Sequence, residues 1–243
     1  MKEKDMIFGL RATIEAIKAG KEIDKIFMRR DMSNELTREL YATLGDQQVP
    51  IVKVPVEKLN RFTRKNHQGV VAFVSSVTYQ RIADIIPTLY EEGKTPFVVV
   101  LDGVTDVRNF GAIARTCECA GVNAIVVPMK GGAAANADAI KTSAGALHTI
   151  PVCREPNLLE AVKYLKQSGL SVIAASEKAT MSYTQANYAD PVAIVMGAED
   201  VGISKEILRV CDQMVSIPIK GIIQSLNVSV AAGVLIYEAV KQR

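Results

Sequence analysis

The sequence predicts an α/β protein with a small α/β module over residues 1–78, a connection over 79–96 and a larger domain over 97–243. Three observations support this. Strand-sized apolar runs such as Phe97–Leu101 alternate with helical patterns through the second part, the signature of a mostly parallel sheet covered on both faces. The first part carries its own set of short strands and helices. Finally, 243 residues at 49% hydrophobic and 23% charged can bury a substantial core.

The elements follow from spacing. Leu10, Ile14 and Ile17 recur at helical intervals, Ile26–Met28 reads as a short strand, and Leu36, Leu40 and Leu44 mark a second helix. Strand-like Ile51–Val54 and Val70–Val74 complete the module. Residues 75–96 contain one short helix ended by Gly93 and Pro96. Beyond them, strands are expected at Phe97–Leu101, Ala124–Val127, Ser171–Ala175, Val192–Met196 and Met214–Ile217. Helices are expected near 109–120, 136–144, 157–168, 204–211 and 227–240. In such sheets ligands gather at the carboxyl ends of strands, so function should lie in the loops that follow them.

Composition excludes several classes. No apolar run approaches the roughly 20 residues that span a bilayer, and the N-terminus has no apolar stretch after its charges, so a cytoplasmic protein is expected. Cys117, Cys119, Cys153 and Cys211 form no C-x-x-C pair, and His67 and His148 are the only histidines. A metal centre is therefore not expected. The net charge of +3 is uneven: residues 1–78 balance at +4 and residues 79–243 at −1. A nucleic-acid footprint, if there is one, belongs to the first part.

Three post-strand loops carry the chemistry. The first, Asp102–Arg115, offers Asn109 as a helix N-cap, Gly111 for close approach, and Arg115 further along the helix. The second, Gly197–Ser204, has two glycines around Glu199, with Ser204 placed to cap the next helix. It matches neither G-x-G-x-x-G nor G-x-x-x-x-G-K-[ST], so phosphate cradling of those kinds is not supported. The third, Pro218–Val230, brings Ser225, Asn227 and Ser229 to the start of an apolar helix, where free N–H groups favour binding. Taken singly, the first loop also reads as a capped helix with a surface arginine, and the third as a simple cap followed by a core helix.

In order, however, N-x-G-A-I-x-R, G-A-E-x-x-G and I-P-x-x-G-x-x-x-S-L-N-V-S-V-A closely resemble the three motifs of the SpoU (TrmH-like) RNA 2′-O-ribose methyltransferases of the SPOUT superfamily. Asn66-His-Gln-Gly69 resembles the end of that family's small RNA-binding module, an arrangement similar to enzymes that modify a guanosine of large-subunit rRNA. Departures are Val107, where relatives often have Pro, Asp200 in place of the central Gly of the second motif, and His148 where relatives often carry an acid.

The resemblance implies a SPOUT catalytic domain with a C-terminal trefoil knot, a homodimer, and S-adenosyl-L-methionine as methyl donor. It assigns cofactor contacts to Gly197, Gly202, Ile217, Pro218 and Leu226, and catalytic-site positions to Arg115, Asn109, Glu199, Ser225 and Asn227. Asn109 and Glu199 would fix Arg115 and the ribose. Arginine is a poor base, with a pKa above about 12, so Arg115 is expected to hold a phosphate and stabilise developing charge; the acceptor of the hydroxyl proton is left open. RNA capture falls to Arg61, Arg64, Lys65 and His67, with Phe62 and His67 placed to stack on an unpaired base; the alternative is a basic helix end with a buried Phe62. The RNA is expected to be rRNA. The alternatives are a tRNA 2′-O-methyltransferase or a non-catalytic ribosome-assembly factor. A dehydrogenase lacks its glycine fingerprint here, and a hydrolase lacks its G-x-S-x-G elbow.

Overall fold

The computed structural model describes residues 6–45, 47 and 49–243. The chain divides into two compact units, Met1–Thr78 and Tyr79–Arg243.

The first unit contains strands β1 (Met6–Phe8), β2 (Ile23–Arg29), β3 (Ile51–Val54) and β4 (Val70–Val74) and helices α1 (Leu10–Lys18), α2 (Glu35–Leu44) and α3 (Val56–Phe62). Its sheet runs β1-β4-β2-β3, antiparallel at β4 and parallel between β2 and β3. One face packs Leu10, Ile14 and Ile17 of α1 and Leu40 and Leu44 of α2 against Ile26 and Met28. The other is closed by α3, whose Phe62 meets Phe27 and Phe73 at ring-centroid distances of 4.8 and 5.3 Å. Such aromatic pairs contribute about 0.5–1.5 kcal/mol each beyond their buried area. Phe62 is half-buried and packs against this small core.

The second unit contains strands β5 (Tyr79–Gln80), β6 (Phe97–Asp102), β7 (Ala124–Pro128), β8 (Val152–Glu155), β9 (Ser171–Ala175), β10 (Met181–Ser182), β11 (Val192–Gly197) and β12 (Gln213–Ser216). They form one sheet in the order β10-β12-β9-β11-β6-β7-β8-β5, with parallel pairing at every junction. Helices α4 (Ile82–Glu91), α5 (Val107–Cys119), α6 (Ala137–Thr142), α7 (Leu158–Gln167) and α8 (Lys205–Leu208) lie between strands, and α9 (Val228–Gln242) follows β12. Val98, Val100, Val195 and Val172 are fully buried at its centre, as near-continuous apolar strands require.

Residues 79–96 are not a free connection. β5 adds the edge strand beside β8, and Ile82, Ile86 and Leu89 of α4 enter the main core. Pro87 lies inside α4 and cannot donate to the carbonyl four residues back. That carbonyl, Ala83 O, instead accepts from the Tyr164 hydroxyl at 3.4 Å.

Strand β8 was missed in the sequence because it reads Val-Cys-Arg-Glu. Its two charged residues are buried with partners: Arg154 stacks 3.8 Å from the Tyr79 ring centroid, and Glu155 accepts from the Ile82 N–H at 2.8 Å.

Candidate active site

Beginning with the first loop, Asp106 is the N-cap of α5. Its carboxylate accepts from the N–H groups of Arg108 and Asn109 at 2.8 and 3.0 Å. The Asn109 and Arg108 amides and the Arg108 charge hold that carboxyl below its usual range. The expectation that Asn109 caps the helix is thus corrected. Asn109 sits inside the first turn, and Asp106, three residues earlier, is the better acceptor for its amide. This frees the Asn109 side chain to reach another loop. Gly111 serves the fold, because a Cβ there would lie 2.7 Å from Ala139 O, so its absence lets α5 and α6 close together.

The second loop folds on itself. Ala198 and Gly202 exchange two backbone hydrogen bonds of 3.2 and 3.0 Å, and a Cβ on Gly197 would fall 2.3 Å from Gly202 C and Ile203 N. The glycine at 197 is required by the chain's own turn before any ligand is considered. Gly202 takes the positive φ of 69°. Asp200 does not adopt the left-handed conformation, and its side chain accepts from the Val201 N–H at 2.9 Å, so the departure at 200 carries no backbone cost. Ser204 occupies the N-cap of α8 without a side-chain capping bond; the segment is held by its N–H donating to Asp102 Oδ2 at 2.7 Å.

In the third loop, Asn227 caps α9, accepting at Oδ1 from the Ser229 N–H at 2.9 Å and the Ser229 hydroxyl at 2.6 Å. With Oδ1 so engaged, Nδ2 is turned toward the other loops. It donates to Glu199 Oε1 at 2.7 Å and to Asn109 Oδ1 at 3.0 Å, while Asn109 Nδ2 donates to the same Glu199 Oε1 at 2.9 Å. One residue from each loop therefore meets in a closed triangle of hydrogen bonds.

Beside this triangle lies a cavity of about 350 Å³ lined by Gly197, Glu199, Gly202, Ile217, Ser225, Leu226 and Asn227 among others. That volume suits a small organic ligand. Val215, Ile217, Leu226 and Leu235 give apolar walls, and Glu177 and Glu199 are its two ionisable lining residues. A ligand with a flat aromatic ring, polar hydroxyls and a cationic centre, as S-adenosyl-L-methionine is, fits this lining in chemistry and in size. The loop Ala175–Glu177 after β9 also contributes to the wall and was not foreseen. β9 lies between β11 and β12, so its carboxyl end opens into the same crevice, but Ala-Ser-Glu has no pattern that would reveal it.

Not every expected residue joins the site. Pro218 is exposed and not part of the lining. Arg115 is exposed on α5 and makes no hydrogen bond or ion pair with any described residue. Asn109 and Glu199 hold each other and Asn227, and do not fix Arg115 as expected. In the first unit, Arg61, Arg64 and Lys65 are exposed, with Lys65 Nζ 5.6 Å from the Phe8 ring centroid. His67 is corrected: it is only 8% exposed. Its Nδ1 accepts from the Gly69 N–H at 3.0 Å, so Nε2 carries the proton and donates to Asn60 Oδ1 at 2.9 Å. Both nitrogens are committed to shaping the turn before β4.

Comparison with known proteins identifies the family. Residues 96–237 match the SpoU rRNA Methylase family, and residues 6–80 match the RNA 2′-O ribose methyltransferase substrate-binding family. A 23S rRNA (guanosine-2′-O-)-methyltransferase, RlmB, of Shewanella oneidensis is 35% identical over 248 residues, covering 100% of this chain and 99% of the relative. Its counterpart in Vibrio parahaemolyticus is 34% identical over 98% of this chain and 97% of its own length. The crystal structure of an AdoMet-bound rRNA methyltransferase from Sinorhizobium meliloti superposes with a TM-score of 0.61 at 25% identity, covering 97% of this chain and 86% of that one. Among the described residues, no helix is long and apolar enough to cross a membrane.

Proposed function

Because the chain belongs to the SpoU rRNA methylase family, we propose that it transfers the methyl group of S-adenosyl-L-methionine to the ribose 2′-hydroxyl of a guanosine in 23S rRNA, in the cytoplasm. The observation that carries this reading is the meeting of Asn109, Glu199 and Asn227 beside one cavity. The guanosine and the 23S molecule come from the activity of the RlmB relatives, similar to this chain over nearly their full length.

When bound, S-adenosyl-L-methionine supplies an electrophilic methyl group on a sulfonium centre. The backbone at Gly197, Ile217 and Leu226 would hold the adenosine and Ser225 and Asn227 the remaining polar parts, all five residues lining the cavity. Arg115 is unpartnered at the surface of α5, ready to bind a phosphate of the RNA and stabilise charge during transfer. RNA is gathered by the first unit through Arg61, Arg64 and Lys65, the part of the chain with the basic excess.

The working form is a homodimer whose contact includes α9. This is supported by Val230 and Tyr237, which remain exposed on that helix one heptad apart, a spacing that puts them on one face. The C-terminal part threads as a trefoil knot, a reading that rests on the family and is compatible with β12 lying beside β9.

The test is transfer of tritium from labelled S-adenosyl-L-methionine to rRNA purified from cells lacking this protein, followed by mapping of the labelled ribose. Label on one guanosine of 23S rRNA is the expected result. Label only on tRNA would change the substrate, and no label on any RNA would overturn the proposal.

A further inference from the structure

Building on that reading, we infer that Glu199 Oε2 is the acceptor of the proton that the 2′-hydroxyl loses during methyl transfer. The two oxygens of this carboxylate have different surroundings. Oε1 takes hydrogen bonds from Asn109 Nδ2 and Asn227 Nδ2 at 2.9 and 2.7 Å. Oε2 takes none from any described residue. The group is held in place through one oxygen and keeps the other for a ligand, and Glu199 lines the cavity.

Elimination leads to the same group. A base must lie within hydrogen-bond reach of the proton it removes. Neither histidine meets this requirement: His67 has both nitrogens engaged within the first unit, and His148 is not part of the cavity wall. Burial pushes the Cys117 thiol far up and the Cys153 thiol up to about 12, and neither lines the cavity. Arginine stays protonated. Of the two cavity carboxylates, only Glu199 is tied through Asn109 to α5, the helix that carries Arg115.

A carboxylate is strong enough for this step. As the hydroxyl oxygen bonds to the methyl carbon, the carbon–sulfur bond breaks and sulfur keeps its electron pair, becoming a neutral thioether. The oxygen gains positive character, which makes its proton strongly acidic. The O–H electron pair stays on oxygen and the proton passes to Oε2, leaving a neutral ether and a glutamic acid that later releases its proton to solvent. No prior ionisation of the hydroxyl is needed, so a base stronger than carboxylate is not required.

Glu199→Gln separates this role from an organising one. The glutamine carbonyl can still accept from Asn109 and Asn227, while the amide nitrogen in place of Oε2 cannot take a proton. Wild type and variant should be compared in binding of S-adenosylhomocysteine by calorimetry, in RNA binding, and in single-turnover transfer. Both affinities are expected to stay within about threefold, while transfer slows by about 10²–10⁴-fold. Transfer within about threefold of wild type, or a fall in S-adenosylhomocysteine binding that matches the fall in rate, would overturn the assignment. A wild-type protein that methylates no RNA would instead overturn the function from which this inference starts.

Discussion

Asn227 donates through Nδ2 to Asn109 Oδ1 across 3.0 Å, joining residues 118 positions apart. Both also donate to Glu199. Because Asn227 caps α9 with its other side-chain atom, the helix start and the cavity share one residue, and the two roles can be separated by mutation.

Asn227→Asp keeps a capping oxygen for the Ser229 N–H but removes the donor to Glu199 and sets a second negative charge beside it. Asn227→Ala removes both functions. Thermal denaturation should show the Ala variant destabilised by about 1 kcal/mol from the lost cap. The Asp variant should lose S-adenosylhomocysteine affinity by about 5–30-fold, the effect of one to two kcal/mol.

Gly197→Ala should be severe, since the added carbon meets backbone atoms at 2.3 Å, and backbone cannot rotate away as a side-chain end can. A loss of about 1–3 kcal/mol or more is expected, with calorimetric titration showing weakened cofactor binding as the turn is displaced. Gly121→Ala provides a reference: its φ is +73° but no atom lies within 4 Å of the added carbon. That change should cost only about 1–2 kcal/mol of backbone strain and leave binding intact.

Asp106 gives a pH dependence with a defined sign. Its carboxyl is shifted downward in the folded protein by the Asn109 and Arg108 amides. Its stabilising effect is therefore fully present above the unfolded carboxylate range, near pH 4, and is lost as pH falls through the lower folded value. The gap in melting temperature between wild type and Asp106→Ala should be constant from neutral pH down to about 5, then close on further acidification. A gap that widened toward acid would contradict the capping role.

In the first unit, exposed and buried groups should behave differently. Replacing Arg61, Arg64 and Lys65 together by Gln should weaken RNA binding and reduce the slope of log K against log salt by up to about 2, at roughly 0.7 per single-strand phosphate contact. His67→Ala should instead lower the stability of the unit by about 1–3 kcal/mol, because the Gly69 N–H loses its acceptor. RNA affinity per folded molecule should not change, as titrations on wild type and variant at matched folded fractions would reveal.

The parallel sheet was readable from sequence because strands buried on both faces are written as unbroken apolar runs, as in Phe97–Leu101 and Val192–Met196. β8 escaped because its Arg154 and Glu155 are buried against partners distant in sequence, the Tyr79 ring and the Ile82 N–H. α3 escaped because only Leu59 of its seven residues is buried. The site was readable as motifs, and the cavity lining includes most of the expected residues, but local spacing could not say which side chain pairs with which. Asp106 takes the capping role expected of Asn109, and Arg115 lies outside the network expected to hold it. The first outcome is local, since Asp106 accepts from amides two and three residues on; the second depends on how three loops meet in space, which no single loop encodes.

The claim that those loops build one methyl-donor site is tested most directly by calorimetric titration of the purified, folded protein with S-adenosylhomocysteine. The account predicts saturable heat, with binding weakened by Gly197→Ala. Absence of any heat from well-folded wild-type protein would contradict it.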